Sequence, residues 1–250
     1  MIKGVIFDEP FFNAVIKRAG GDRLTDLYSP PPNTQNVDYL IGGFALELKI
    51  LKTDPLDAPE RQESIKKFLR AELPKGPLWV TPTKQAVTFS GQQAKDYWER
   101  IMGKPIQDRL DTAAGQIRDT RTFVPGSLRG GVIIVNSAGP SFDWRSFSHL
   151  ANHYGVRFPE IDAVFAMNGV PEVADGKFII HFATTGKVGH RTEADALGTI
   201  LDKAIREEVA KLTNRALEVV EVDPHSPSPK AAFQITSSGV RKKRPSPPGP

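Results

Sequence analysis

The chain has 250 residues, 39% of them hydrophobic, which is enough for one sizeable globular core and well above the range of disordered chains. It has no cysteine, which excludes disulfides, thiolate metal sites and a cysteine nucleophile and suits a reducing cytoplasm; no apolar run approaches the ~18 residues of a membrane span, and Asp8-Glu9-Pro10 ends the N-terminal apolar patch too early for a signal peptide. The net charge is +4, but residues 224–250 carry five cations (Lys230, Arg241, Lys242, Lys243, Arg244) and no acid, so the rest of the chain is one charge negative and is not a basic protein overall.

Residues 9–18 read as a first helix, because Phe11, Phe12, Val15 and Ile16 fall close to helical spacing and Gly20-Gly21 stops the pattern. Residues 23–28 are expected as a short strand, followed by a loop at Ser29-Pro30-Pro31-Pro32-Asn33. Residues 37–41 and 44–51 are β-like runs separated by Gly42-Gly43, the pattern of a hairpin. In the second run Phe44, Leu46, Leu48 and Ile50 share one face, while Glu47 and Lys49 share the other. After a polar stretch, residues 60–72 read as a helix, 78–80 and 86–89 as short strands, and 92–102 as a helix. A second helix is expected over 105–123, with Pro105 in its first turn.

Residues 131–136, GVIIVN, form the clearest buried strand. Residues 143–154 are expected as a helix, 161–167 and 177–184 as strands, 192–212 as a long amphipathic helix and 216–222 as a last strand. From Pro224 onward Pro, Ser, Gly and Lys dominate, so disorder is expected there. The expected architecture is an α/β domain over residues 1–223, built on a central mixed sheet flanked by helices. It carries a helical insertion at about 52–104 and a disordered tail at 224–250.

The chemistry-bearing feature is the hairpin. Asp38 opens its first strand, and Glu47 and Lys49 lie two apart on the second, pointing the same way. The turn can bring Asp38 beside Glu47, which sets two carboxylates and one ammonium on one face of a sheet. Adjacent carboxylates repel each other, and a divalent cation relieves that repulsion. Magnesium prefers oxygen ligands and keeps several waters, so two carboxylates suffice for it. A lysine nearby can orient a water or a phosphate. The acid-x-Lys pattern recurs at Asp175-Gly176-Lys177, but there a central Gly points to turn chemistry.

The stretch Asn36-Val37-Asp38-Tyr39-Leu40-Ile41-Gly42-Gly43-Phe44-Ala45-Leu46-Glu47-Leu48-Lys49 resembles the signature of the PD-(D/E)xK, or restriction-endonuclease-like, superfamily. The resemblance covers roughly residues 5–136, and Val37 stands where the eponymous Pro would be. It implies a restriction-endonuclease-like core and a metal-dependent nuclease acting on nucleic acid, DNA in the first place, with Mg2+ or Mn2+ as cofactor. It implies Asp38 and Glu47 as metal ligands, with Glu9 of the first helix as a further metal-binding acid, and Lys49 as the catalytic lysine. From the helix after the hairpin it implies Gln116 in the site, and it draws in Arg118 and Arg121 as nucleic-acid contacts. Cutting both strands of a duplex often calls for two sites, which leaves room for a homodimer.

Plainer readings stand beside this one. Glu47 and Lys49 also suit the wet face of an ordinary strand. Glu9 suits the first turn of any helix, and Gln116 and Arg118 suit solvated helix positions. A protein that keeps the fold but only binds nucleic acid, or serves as a scaffold, is the main alternative. A module recruiting a partner through its Pro-rich tail is a weaker one. His149 and His153 share a helix face, but no third zinc ligand accompanies them, so a structural or surface role is expected. Gly186-Lys187-Val188-Gly189-His190 lacks the spacing of a phosphate loop. Within the body, residues 61–130 hold 13 Lys or Arg against 7 Asp or Glu; basic surface for phosphates is expected from there or from the tail.

Overall fold

A computed structural model describes residues 6–54, 58–72, 85–89, 92–137, 144–169, 172–174, 177–213, 217–221 and 231–235. In chain order the elements are α1 (Glu9–Arg18), β1 (Asp22–Arg23), α2 (Leu24–Leu27), β2 (Tyr39–Ile41), β3 (Phe44–Leu51), α3 (Pro59–Glu72), β4 (Gln85–Phe89), α4 (Gln92–Thr120) and β5 (Arg129–Asn136). They continue with α5 (Trp144–Gly155), β6 (Ala163–Asn168), β7 (Glu172–Ala174), β8 (Lys177–Gly186), α6 (Arg191–Thr213), β9 (Leu217–Glu221) and β10 (Ala231–Ile235).

Eight strands make one mixed sheet in the order β1-β2-β3-β5-β6-β8-β7, with β9 also on β8. β3, β5 and β6 run parallel, and β2 and β8 flank them antiparallel. The two parallel crossovers pass through α4 and α5, which pack on the same face, as a repeated one-handed crossover requires. β5 is therefore buried on both sides, which explains its unbroken apolar run. One core lies between the sheet and α4, α5 and Ile65 of α3; the other lies between the sheet and α1 and α6. The protein is thus an α/β fold with an open mixed sheet between helical layers. Among the described residues no helix is long and apolar enough to cross a membrane.

The hairpin follows from its glycines. Gly42 and Gly43 take φ of 57° and 79°, the left-handed pair of a two-residue turn that is strained for other residues. The turn sets the register Ile41 with Phe44, Leu40 with Ala45 and Tyr39 with Leu46. One step further along the same ladder, Asp38 faces Glu47.

Two expectations are corrected. Residues 23–28 are not a strand: only Asp22 and Arg23 pair with β2, and the chain then turns into α2 so that Leu24 is buried in the core. The helices expected to break before Pro105 are one continuous α4. An internal proline costs about 3 kcal/mol. Met102 and Ile106 on either side of it are fully buried, at about 1.5–3 kcal/mol each, which offsets that cost. Of residues 222–250, only Ala231–Ile235 are described, as β10 paired antiparallel with β4. The strand expected at 78–80, the Asp175-Gly176 turn and the remainder of residues 222–250 lie outside the described residues.

Gly130, in β5, lies against the Glu160 carbonyl and Ile117 of α4, and a Cβ there would overlap that carbonyl oxygen. Gly130→Ala is expected to destabilise the fold by roughly 1–3 kcal/mol through overpacking, read as a lower midpoint in urea unfolding.

Candidate metal centre

The hairpin and α4 together build the site. Because β3 alternates, Phe44 and Leu46 enter the α1/α6 core while Ala45, Glu47, Lys49 and Leu51 turn toward α4. That face is not wet: the Glu47 side chain is 3% exposed and that of Lys49 is 12% exposed. The Lys49 ammonium donates to Glu47 Oε1 at 2.6 Å and to Gln116 Oε1 at 2.6 Å. An ammonium has three donors, so one remains for the cleft that Lys49 lines.

Asp38 is held from the opposite strand. Its Oδ2 accepts from the Leu48 backbone N–H at 2.9 Å, which seats its carboxylate beside β3 as the register requires. The segment before it is tied to α4 by two side chains one helical turn apart. Gln116 Nε2 donates to the Asn36 carbonyl at 2.9 Å, and Thr120 Oγ1 accepts from the Val37 N–H at 3.0 Å. Gln116 thus joins the lysine on β3 to the chain that delivers Asp38. Thr120, fully buried, was not foreseen. Its place four residues beyond Gln116, on the same helical stripe, was the signal available.

The electrostatics leave the two acids under strain. Burial pushes the Glu47 carboxyl up to about 8, the neighbouring Asp38 charge adds to this, and Lys49 offsets only part of it. Burial also raises Asp38, against the Leu48 N–H and the Lys49 charge. The second Glu47 oxygen, Oε2, is sealed from solvent and accepts no hydrogen bond among the described residues. Its neighbour Asp38 is itself an acceptor, so only a proton or a cation between the two carboxyls can satisfy both. The donor set fits a small, hard divalent ion: two carboxylates, each already fixed through its other oxygen, with open space on the Asp38 side. Among the described residues no three His, Asp or Glu side chains converge into a metal cage.

Asp38 opens onto a cleft of about 730 Å³ at the exit of β3, and Glu47 lies buried behind it, beside Lys49. Asp38, Lys49 and Glu9 line it together with Lys52, Asp54, Arg61, Asp108, Arg109 and Thr112. Glu9 thus reaches the same cleft, but it is exposed and lies 3.5 Å from Arg23, outside the buried pair. The sheet and α4 bring Asp38, Glu47, Lys49 and Gln116 together. They do not bring Arg118 or Arg121. Arg118 is two positions from Gln116 and so points to the far side of the helix, 67% exposed. Arg121 donates to the Leu128 carbonyl at 3.0 Å and to Asp162 at 2.9 Å, tying the end of α4 to the segments before β5 and β6. His149 and His153 stack on α5 at 6.1 Å, and burial, with Arg157 beside it, holds the His153 imidazole below its ordinary value. Lys52, Arg61 and Arg109 are cleft residues that sequence reasoning did not single out.

Comparison with protein-family models, with curated proteins and with solved structures returns no match.

Glu47 also sets a pH dependence. Its folded value of about 8 lies above the ordinary 4.5, so the metal-free protein is favoured with Glu47 protonated. The stability this contributes is complete below about 4.5 and is lost as pH rises toward 8 and beyond. Without metal, Glu47→Gln should melt above the wild type at pH 8.5, with the gap closing toward pH 5. Magnesium should raise the melting temperature of the wild type at high pH and leave the variant unmoved.

Proposed function

We propose that this protein is a divalent-metal-dependent nuclease that hydrolyses phosphodiester bonds, with DNA as the first substrate to test. The observation that carries the reading is the orphaned, buried Glu47 oxygen next to Asp38 and Lys49, which both line an open cleft. The order helix, antiparallel strands, helix, parallel strand from α1 to β5 supports it, because that is the order the PD-(D/E)xK resemblance implies.

In this reading Asp38 and Glu47 would hold the ion, with the exposed Glu9 on the same cleft. When bound, such an ion supplies Lewis acidity toward a phosphoryl oxygen and neutralises charge developing there. Lys49, fixed by Glu47 and Gln116, turns its remaining N–H to the cleft and orients the attacking water or a phosphoryl oxygen. The water oxygen bonds to phosphorus, the ester P–O bond opposite it breaks, the water proton leaves to solvent, and the departing oxygen takes up a proton. Gln116 acts through Lys49 and the Asn36 carbonyl and is a positioning residue.

A second reading, a nucleic-acid-binding protein without catalysis, draws on the closed Glu47–Lys49 pair, which already occupies part of the ammonium. The two readings part in one assay. Incubation of plasmid DNA, linear DNA and RNA with Mg2+, Mn2+ or EDTA should give metal-dependent cleavage. Lys49→Ala should lower the rate by about a hundredfold or more, in the range for a lost electrostatic group. Salt-sensitive binding without cleavage in any metal, or equal cleavage by Lys49→Ala, rejects the nuclease.

A further inference from the structure

The cleft does not end at the acid pair. It continues past Lys49 along the exit of β3, and there its walls change sign. Lys52 comes from the segment after β3, Arg61 from the first turns of α3, and Arg109 from the middle of α4. We propose that Lys52, Arg61 and Arg109 form an anion subsite that holds a second phosphate of the nucleic-acid strand, away from the one being cut. The identity of the polymer rests on the nuclease reading above; the anion subsite itself does not.

Two independent spacings put Lys52 and Arg109 at one level, and Arg61 lines the same cleft. Lys52 follows Lys49 by three residues of extended chain, about 10 Å at strand rise. Arg109 precedes Gln116 by two helical turns, about 10 Å along the axis, and Gln116 touches Lys49. Arg109, Thr112 and Gln116 therefore form one stripe of α4, and Arg109 and Thr112 line the cleft. Along a duplex one strand advances about 3.4 Å of axis per phosphate while winding around it, so a site about 10 Å away meets a phosphate near, but distinct from, the scissile one. Guanidinium groups suit phosphate binding, because their planar fork meets two phosphate oxygens at once.

Two acids share this stretch. Asp108 is engaged by Lys104 at 2.6 Å, and Asp54 is buried. Three lining cations, Lys52, Arg61 and Arg109, face these two acids, whereas at the other end Glu9 and Asp38 face Lys49 alone. The polarity suits a chain of phosphates entering from the basic end with its reacting phosphate at the metal pair. Lys52 and Arg61 belong to the segment inserted into the fold, so in this subsite the insertion serves to grip the substrate.

The test measures binding apart from cleavage, by fluorescence anisotropy of a labelled DNA duplex with Ca2+ in place of Mg2+, over a range of salt. The Lys52→Ala/Arg61→Ala/Arg109→Ala variant should bind about tenfold or more weakly, and its slope of log affinity against log salt should be shallower by about 1 or more, the counterion release of a lost phosphate contact. Its Mn2+ affinity by calorimetry should match the wild type. Arg61→Lys/Arg109→Lys should recover part of the binding. Arg109→Gln, an exposed single change, should show a part of the loss by itself and serves if the triple variant does not fold. Unchanged affinity and salt slope in the triple variant or in Arg109→Gln, equal loss of Mn2+ binding, or a wild type that binds no DNA would overturn the subsite. A wild type that binds DNA through these cations but cuts nothing leaves the subsite standing and removes only the nuclease.

Discussion

Two carboxyl groups that cannot both be ionised side by side without a counter-charge lie where the hairpin meets α4. The ladder set by Gly42 and Gly43 puts Asp38 opposite Glu47, and α4 closes over Glu47 until almost none of it meets water. Each acid has one oxygen engaged, Asp38 by the Leu48 N–H and Glu47 by Lys49. Burying a carboxylate without a full set of donors is expensive, and proteins keep such an arrangement where it serves function. The two-sided burial of β3, the position of α4 and the cleft at the end of β3 all centre on that one conflict.

Helix α4 links the conflict to the stability of the whole fold. Its inward side supplies Met102, Ile106, Leu110, Ala113 and Ile117 to the core. The adjoining stripe supplies Gln116 and Thr120 to the site. The side chains that position Lys49 and the approach to Asp38 are therefore anchored on a helix that the sheet cannot release without losing its core. The same helix carries Arg109 two turns upstream, so one rigid element spans the reacting end of the cleft and its basic end. Rigid elements hold reacting groups better than loops do.

How much of this could be read beforehand depended on how local each feature was. The hairpin was legible because Gly-Gly between alternating runs has one favoured geometry, and its register then placed Asp38, Glu47 and Lys49 on one face. The long helices and the buried strand β5 followed from periodicity. What was missed depended on distant partners. Residues 23–28 have strand-like composition, but Leu24 fills a core pocket and bends the chain into α2. Pro105 reads as a helix start, but core contacts on both sides carry the helix through it. Arg118 and Arg121 stand beside Gln116 in sequence, yet helical geometry sends them elsewhere, whereas Thr120, four residues on, shares its stripe. The basic end of the cleft joins three elements far apart in sequence, and no single segment announces it.

Because Glu47 is held protonated near neutral pH, an ion that binds between it and Asp38 must displace a proton, whereas an ion on the surface need not. Calorimetric titration of Mn2+ into the protein at pH 7, repeated in buffers of different ionisation enthalpy, counts that proton directly. Release of roughly one proton per ion bound, lost in Glu47→Gln, is the outcome expected from the buried pair. Binding with no proton released, or no binding at all, would contradict it.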